Sequence, residues 1–326
     1  FQIKAWQRIE GVTLVGVADL SAKARAALAD LGVETFETAS DLLDQGLDIL
    51  DIATPPQTHA DLVRLGLGRA VAVICQKPFG QDLATARDLV AEAGDTPLFV
   101  HENFRFQPWY REIARLLADG LIGDVVQARF ALRPGDGVGP EAYLSRQPYF
   151  QRMERFLIHE TAIHFIDTFR YLFGELRTVY ADLRRCNPVI AGEDAGLVIF
   201  EGERGVRLTF DGNRTLDMPA TNPRLTLGLL EVEGSQGALR LDGDGGLWHR
   251  ARGARWQAVP FVFEDVDFGG NCVEAFQRHV LAALQGGKAE TYARDYLINQ
   301  EIEEVVYRSA ARGARLPLPV PGGGTT

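Results

Sequence analysis

The chain has 326 residues, of which 46% are hydrophobic and 24% charged, and its 44 acidic and 34 basic side chains give a formal net charge of −10. These proportions exclude a disordered or fibrous chain, and the acidic balance argues against a nucleic-acid partner, because neutralising phosphates needs a basic surface. No apolar run reaches the ~20 residues of a membrane span, and the three cysteines lack zinc-site or disulfide-framework spacing. We expect a cytoplasmic globular protein without a membrane partner or a bound metal.

The first hundred residues alternate short apolar strands with helical patterns. This alternation predicts βαβ units and a parallel, doubly wound sheet, and places a dinucleotide-binding Rossmann domain at residues 1–102. The predicted strands are 12–18, 33–36, 48–53, 70–75 and 97–100, and the main predicted helices are 22–31, 57–68 and 82–93.

Polar residues follow these strands, at the sheet edge where α/β proteins bind their ligands. Asp19 stands between a strand and a helix that Ser21 can cap, the position of the acid that binds ribose hydroxyls in dinucleotide-binding folds. A solvated or helix-capping aspartate is the alternative. The other strand-end residues are Thr54, Pro55, Gln76, Lys77, His101, Glu102 and Asn103.

No glycine-rich phosphate loop precedes Asp19 in the sequence. The chain opens inside an amphipathic helical pattern, so we expect the first strand and the glycine loop of the fold to lie upstream of Phe1. Asp19 favours NAD, because its carboxylate would repel the 2′-phosphate of NADP, although Lys23 and Arg25 follow closely and leave NADP as a second candidate.

Lys77 emerges from a buried strand, and Pro78 restricts its backbone to extended conformations. A lysine held at a strand end can orient a substrate hydroxyl and stabilise developing negative charge. An ordinary surface lysine is the alternative.

The second half has a different pattern, with a helix at 107–119, a strand at 125–132, a polar loop at 133–155 and a largely apolar helix at 156–173. Consecutive strands with short turns follow and predict an antiparallel sheet, so we expect an α+β domain at residues 103–326. These strands are 178–183, 196–200, 206–210, 225–232 and 238–241, and helices at 272–284 and 294–312 close the chain.

Glu160, His164, Asp167 and Tyr171 form one polar stripe on the helix at 156–173. The rest of its circumference is apolar, so the helix is buried and the stripe must face partners or a cavity. Histidine suits proton transfer near neutrality, and a satisfied core histidine is the alternative. His159 and His164 are five residues apart, which does not fit the zinc-protease helix.

Five segments together resemble the Gfo/Idh/MocA oxidoreductases, and their order and spacing match across nearly the whole chain. They are residues 53–56 (ATPP) with His59, 75–79 (CQKPF), 102–108 (ENFRFQP), 121–123 (LIG) and 160–164 (ETAIH) with Asp167.

The resemblance implies a Rossmann domain and a second domain with a large, mostly antiparallel sheet. In this family that sheet commonly forms the oligomer interface, which implies a homodimer or homotetramer. The resemblance also implies a nicotinamide cofactor and a sugar or polyol substrate. Lys77 corresponds to the family's lysine before proline, His164 to its catalytic histidine and Glu160 to its neighbouring acid. The cofactor-binding residues it implies are Asp19, Thr54, Pro55, His59, Gln76, Lys77, Asn103 and Arg105.

Two departures from the family pattern stand out. Gln76 replaces a glutamate, and an amide still hydrogen-bonds a ribose hydroxyl. Glu160 and Ala162 replace an aspartate and a glycine, and the longer glutamate moves its carboxylate by about one C–C bond.

We expect His164 to take the proton of a substrate hydroxyl, Lys77 to hold the oxygen, and Glu160 to orient the substrate or the histidine. Two other functions fit the sequence, a cofactor-binding sensor or regulator without turnover and a redox glycosidase that recycles its nicotinamide. We expect the loop at 133–155 to line the substrate side through Tyr143, Tyr149 and Phe150. Arg105 or Arg155 can bind an acidic substituent or form a structural ion pair.

Overall fold

The computed structural model describes residues 1–28 and 31–320 and divides them into two compact units. The first comprises residues 1–103 and 273–297, and the second comprises 104–272 with the chain from residue 298 onward. The segment 273–297, predicted in the second domain, therefore packs with the first unit. Its contacts there explain the difference, since the Tyr292 ring stacks on Phe99 at 4.6 Å and Gln277 Nε2 donates to the Gln2 carbonyl at 3.2 Å.

The first unit contains five short parallel strands in two sheets. One sheet pairs β1 with β2, and the other has the order β3-β4-β5. The strands are β1 (Val17–Ala18), β2 (Thr35–Phe36), β3 (Ile49–Ile52), β4 (Ala72–Gln76) and β5 (Leu98–His101). The helices before residue 104 are α1 (Gln2–Arg8), α2 (Ala22–Ala27), α3 (Ala39–Leu43), α4 (His59–Gly66) and α5 (Leu83–Ala93).

Local chemistry explains where these elements begin. The side chains of Ser21, Thr38 and Asp82 accept backbone hydrogen bonds and cap α2, α3 and α5. The strand predicted at 12–18 is reduced to its last two residues, because only these pair with β2. Of the helix predicted at 22–31, positions 29 and 30 lie outside the described residues.

The second unit is built on a nine-stranded sheet in the order β13-β12-β11-β10-β6-β9-β8-β7-β14. Every neighbouring pair is antiparallel except β6 and β9, which run parallel. The strands are β6 (Val125–Leu132), β7 (Leu176–Arg184), β8 (Ala195–Gly202), β9 (Arg207–Asn213), β10 (Gly228–Gly234), β11 (Gly237–Leu241), β12 (Leu247–Ala251), β13 (Gln257–Ala258) and β14 (Leu316–Pro317).

From residue 104 onward the described residues form four α-helices. They are α6 (Pro108–Ala118), α7 (Ile163–Phe173), α8 (Cys272–Leu284) and α9 (Ala293–Arg312). The unit boundaries fall within two of them, α8 and α9. Residues 293–297 of α9 belong to the first unit and the remainder of the helix to the second.

One face of the nine-stranded sheet carries the core of the second unit. Side chains alternate along a strand, so Ala128, Phe130 and Leu132 of β6 all point to this face and are buried. Phe130 stacks on Phe165 of α7 with ring centroids 3.9 Å apart. The sheet therefore fixes the position of the helix that carries the predicted histidine.

None of the helices in the described part of the chain combines the length and the hydropathy of a membrane span. Within the same residues, no group of three or more histidine, cysteine, aspartate or glutamate side chains is arranged to hold a metal ion.

Candidate functional site

The carboxyl ends of β3, β4 and β5 lie side by side in the first unit, as predicted for a parallel sheet. Cys75 pairs with both Ile52 and Val100, and Gln76 pairs with His101. The residues that follow, from Thr54, Lys77 and Asn103 onward, therefore leave the sheet at one edge.

Gln76 turns its side chain onto the adjoining backbone, where its Oε1 accepts a hydrogen bond from the Lys77 N–H at 2.9 Å. The Gln76 amide nitrogen makes no hydrogen bond among the described residues and can donate to a ligand. Both Gln76 and Lys77 are half-buried. Lys77 is joined to Pro78 by a cis peptide bond.

His59 ties the two loops that follow β3 and β4. Its Nε2 lies 2.8 Å from the Thr54 carbonyl oxygen, and its Nδ1 lies 2.9 Å from the Pro78 carbonyl oxygen. The ring is fully buried. His59 was predicted to contact the cofactor, and the structure places both of its ring nitrogens against backbone carbonyl oxygens, where the ring positions the two loops.

Asp19 lies at the end of β1 and is exposed. Its Oδ1 accepts the Ser21 N–H at 2.7 Å, and Arg25 donates to the Asp19 carbonyl oxygen at 2.6 Å. These contacts hold the carboxylate at the start of α2, while its second oxygen stays available to a ligand.

The remaining predicted cofactor residues of the first unit differ in exposure. Pro55 is exposed, Thr54 is half-buried and Asn103 is buried. The Thr54 hydroxyl accepts a hydrogen bond from the Thr58 hydroxyl at 2.7 Å. Thr54 is therefore fixed by its own turn.

A half-buried acid in the first unit was not predicted as a notable residue. Asp51 of β3 accepts hydrogen bonds from Trp6 Nε1 at 2.9 Å and Gln2 Nε2 at 3.4 Å. Burial raises the pKa of Asp51 to about 6, although hydrogen bonds from Trp6, Gln277 and Gln2 oppose the shift. The available signal was an acid in the middle of an apolar strand.

The helix predicted at 156–173 is not regular. Its first part, Leu157–Ala162, is a π-helix, and α7 continues from Ile163. Glu193 holds the beginning of this π-helix, since its Oε1 accepts the N–H groups of Phe156 and Ile158, both at 3.1 Å, and the Tyr307 hydroxyl at 2.7 Å. Single π-turns within helices are frequent at functional sites, and this one carries Glu160.

The His164 ring is held parallel to the Phe104 ring, with centroids 3.9 Å apart and an interplanar angle of 7°. Only 5% of His164 is exposed. The Thr168 hydroxyl donates to the His164 carbonyl oxygen at 2.8 Å and fixes the backbone one turn below. The stack fixes the plane of the imidazole, a role for Phe104 that the sequence analysis did not identify.

Arg105 was predicted to bind the cofactor, but the structure gives it another partner. Its Nε and Nη2 each donate to one oxygen of Asp167, both at 2.7 Å, in a forked ion pair. Burial alone would raise the pKa of Asp167, but Arg105, with help from Arg170 and Asn299, holds it below its ordinary value. The pair anchors α7 to the segment before α6, because a buried carboxylate needs a fixed counter-charge.

The predicted polar stripe therefore separates into two parts. Glu160 and His164 lie on the π-helix and the first turn of α7, whereas Asp167 and Tyr171 bind arginines. Arg111 donates to the Tyr171 hydroxyl at 3.0 Å. Arg155 is also engaged, in an ion pair with Glu304 and over the Tyr307 ring at 4.4 Å, so neither Arg105 nor Arg155 is placed to bind an acidic substituent.

The loop at 133–155 packs around its own aromatic side chains. Tyr143 and Phe150 are buried with Phe156 in a small core, while Tyr149 is 53% exposed. Partial burial and the charge of Glu160 raise the pKa of Tyr149. Of the three aromatics predicted to line the substrate side, Tyr149 is the one that lies in the field of Glu160 at the surface.

Comparison with known proteins agrees with this architecture. Residues 1–104 match the family described as oxidoreductase family, NAD-binding Rossmann fold, and residues 110–240 match the GFO/IDH/MocA C-terminal domain. The chain belongs to the Gfo/Idh/MocA family of oxidoreductases, and its N-terminal domain is an NAD-binding domain.

Two curated relatives span nearly the whole chain. A D-apiose dehydrogenase of Paraburkholderia graminis is 36% identical over 97% of this chain and 86% of its own length. A second D-apiose dehydrogenase, from Rhizobium rhizogenes, is 32% identical over 97% of this chain and 93% of its own length.

Solved structures show the same fold. An oxidoreductase from Agrobacterium radiobacter in complex with NAD+, L-tartaric acid and magnesium superposes with a TM-score of 0.86 at 30% identity, covering 97% of this chain and 94% of its own. Levoglucosan dehydrogenase in complex with NADH and levoglucosan has a TM-score of 0.81 at 18% identity over 98% of this chain and 96% of its own, a likeness of fold alone.

Proposed function

We propose that this protein is an NAD-dependent dehydrogenase that transfers hydride between the nicotinamide and a hydroxyl-bearing carbon of a sugar or polyol. The observation that carries the proposal is the buried His164 imidazole. His164 lies on the helical segment that also presents Glu160, and the stacked Phe104 ring fixes the plane of the imidazole. The D-apiose dehydrogenases that are 36% and 32% identical support the substrate class.

The first unit offers groups that suit a dinucleotide. The exposed carboxylate of Asp19 has one oxygen to accept ribose hydroxyls, and the Gln76 amide nitrogen is a further donor at the strand ends. Thr54, Pro55, Lys77 and Asn103 complete the residues we assign to cofactor binding. The nicotinamide, when bound, supplies the acceptor or donor of hydride.

We assign three roles to side chains of this chain. His164 takes the proton of the substrate hydroxyl, because a neutral imidazole accepts a proton near neutral pH. Lys77 binds the hydroxyl oxygen and stabilises its developing negative charge. Glu160 orients the substrate or the imidazole.

The function is tested by following nicotinamide absorbance with NAD and a panel of aldoses (D-apiose among them), polyols, inositols and sugar acids. We expect reduction of NAD with one class of compound, and Lys77→Ala and His164→Ala to lower kcat by roughly 10²- to 10⁴-fold. Lys288→Ala, which changes an exposed lysine outside the site, is the matched control.

Unchanged turnover in both active-site variants would show that the assignment of roles is wrong. Binding of NAD without reduction by any compound would instead support the sensor, and cleavage of glycosides without net NAD reduction would support the redox glycosidase.

We also infer a homodimer or homotetramer that associates through the outer face of the nine-stranded sheet. Tyr180, Leu197 and Trp248 lie on this face and are 37%, 40% and 37% exposed. Light scattering of the purified protein should give at least twice the monomer mass of 35.9 kDa, and Leu197→Arg should lower it. A monomer at micromolar concentration would contradict this inference.

We further place the protein in the cytoplasm. The support is that all three cysteines are free and that Cys75 and Cys272 are buried, as is usual in a reducing compartment. Fractionation of producing cells checks the location.

A further inference from the structure

The loop at 133–155 is ordered around one arginine of the second unit. Its backbone joins the segment after β9, where the Gly137 N–H donates to the Arg214 carbonyl oxygen at 2.9 Å. The Arg214 guanidinium lies over three buried rings of the loop core, those of Tyr143, Phe150 and Phe156, at 5.4, 5.5 and 4.8 Å from their centroids. The aromatic side chains hold the guanidinium in place.

Arg214 is poorly compensated for a buried cation. It is 5% exposed, and its hydrogen bonds are long, 3.5 Å to Asp136 Oδ1 and 3.4 Å to Thr161 Oγ1. Its Nε is buried without a hydrogen-bond partner among the described residues. A guanidinium has five donors, and leaving them unsatisfied away from water is costly. The site therefore lacks an acceptor.

A second arginine pairs with the same carboxylate, and a third interacts with the group electrostatically. Arg146 lies 3.6 Å from Asp136, and the exposed Arg224 is influenced by the charges of Arg146, Asp136 and Arg214. Partial burial lowers the pKa of Arg224, and the charges of Arg146 and Arg214 lower it further while Asp136 opposes them. We call Arg146, Arg214 and Arg224 the arginine cluster.

The acids near the cluster do not balance its charge. Within the described part of the chain, Asp136 is the carboxylate that forms ion pairs with the cluster, and it also accepts the Tyr143 hydroxyl at 3.0 Å. Asp194 lies near Tyr143, but its oxygens accept the backbone N–H groups of Cys186 and Asn187. Asp194 therefore adds negative charge nearby but forms no ion pair with the cluster, and Asp136 is shared between Arg146 and Arg214.

The arginine cluster adjoins the helix that carries the proposed catalytic groups. Arg214 reaches Thr161, which follows Glu160 directly and precedes His164 by three residues. Tyr149 experiences the charges of both Arg146 and Glu160. Because Arg146 and Arg224 are exposed, a solute can reach the cluster from solvent.

We propose that the arginine cluster is a carboxylate-binding subsite that selects a sugar acid or related hydroxy acid as the substrate. This inference rests on the proposed dehydrogenase function and refines its substrate class. A carboxylate accepts forked hydrogen bonds from guanidinium groups and would supply the missing charge and acceptor, whereas a neutral sugar supplies only weak acceptors.

Matched substrate pairs test the inference on the full chain with NAD. The pairs are D-gluconate with D-glucitol and D-glucuronate with D-glucose, and the variants are Arg146→Gln and Arg224→Gln, with exposed Arg252→Gln as the control. We expect a higher kcat/KM for the acid of at least one pair. Each cluster variant should raise the KM for that acid roughly 10- to 100-fold. The KM for the neutral compound of the pair and the affinity for NAD should stay unchanged.

A third variant probes the buried member. Arg214→Lys keeps the charge and loses the forked donors, so it should shift KM in the same direction, and a thermal melt checks that it folds. Equal kcat/KM values within each pair, or acid KM values unaffected by Arg146→Gln and Arg224→Gln, would overturn the subsite and leave the dehydrogenase function intact.

Direct binding separates failure of the subsite from failure of the proposed function. If no compound is oxidised, calorimetric titration of D-gluconate into the NAD-loaded protein still shows whether the arginine cluster binds a carboxylate. Binding that Arg224→Gln weakens supports the subsite. Absence of gluconate binding, or binding of inorganic phosphate in its place, overturns the carboxylate assignment.

Discussion

Two contacts decide how His164 presents its imidazole: the Phe104 stack fixes the ring plane, and Thr168 fixes the backbone carbonyl. A buried imidazole with a fixed plane loses little entropy when it meets a substrate proton. His59 shows the opposite use of the same side chain, because its nitrogens join two loops. Residue type alone does not separate these two roles.

Phe104 should therefore act on catalysis through His164. We expect Phe104→Leu to lower kcat about 10- to 100-fold with little change in substrate KM, because the imidazole loses its fixed plane. The measurement is the kcat and KM of the variant across pH 6–9. Phe104→Tyr keeps the stacked ring and should retain most of the activity, and equal losses in the two variants would contradict the positioning role.

The helix around residues 156–173 depends on partners from distant parts of the chain. Glu193 holds the π-helix at its beginning, and Arg105 holds Asp167 in the middle of α7. The amphipathic pattern correctly predicts a buried helix with a polar stripe. The π-turn was not predictable, because its first N–H groups are satisfied by the distant Glu193, whose Oε1 also accepts the Tyr307 hydroxyl.

Arg105→Ala should destabilise the protein by about 3–5 kcal/mol at neutral pH, because Asp167 stays buried without its forked partner. The pKa of Asp167 lies below its ordinary value in the folded state, so the pair contributes stability above pH ~4 and loses it as the pH falls through the folded pKa. The Tm difference between the variant and the wild type should therefore shrink between pH 7 and pH 3.

Arg105→Lys is the matched control, since it keeps the charge without the forked geometry. Its Tm should lie between those of the wild type and Arg105→Ala. A Tm difference that is constant across this pH range would show that the ion pair does not stabilise α7.

Asp51 links the stability of the first unit to pH. Its pKa rises from 3.8 to about 6 on burial, so the folded state retains a proton that the unfolded chain releases. The associated stability is fully present below pH ~4 and is lost as the pH rises through about 6, by at most about 3 kcal/mol.

Asp51→Asn removes this titration, so the Tm of the wild type relative to the variant should fall between pH 4 and pH 7 and then level off. Comparing the two proteins at each pH cancels the titration of the other groups. A difference independent of pH would contradict a raised pKa for Asp51.

The order of the elements up to β11, the parallel pairing in the first unit, the mostly antiparallel sheet of the second unit and the strand-end position of Lys77 follow from the sequence alone, because local periodicity and turn residues specify them. The short strands β12, β13 and β14 were not predicted. Which side chains are already engaged was decided by tertiary structure. Arg105 binds Asp167, 62 residues further along the chain, and His59 contacts the carbonyl oxygens of Thr54 and Pro78. Arg146, Arg214 and Arg224 come from separate segments of the chain. The pairing of distant side chains depends on how the chain folds back, and no local pattern encodes it.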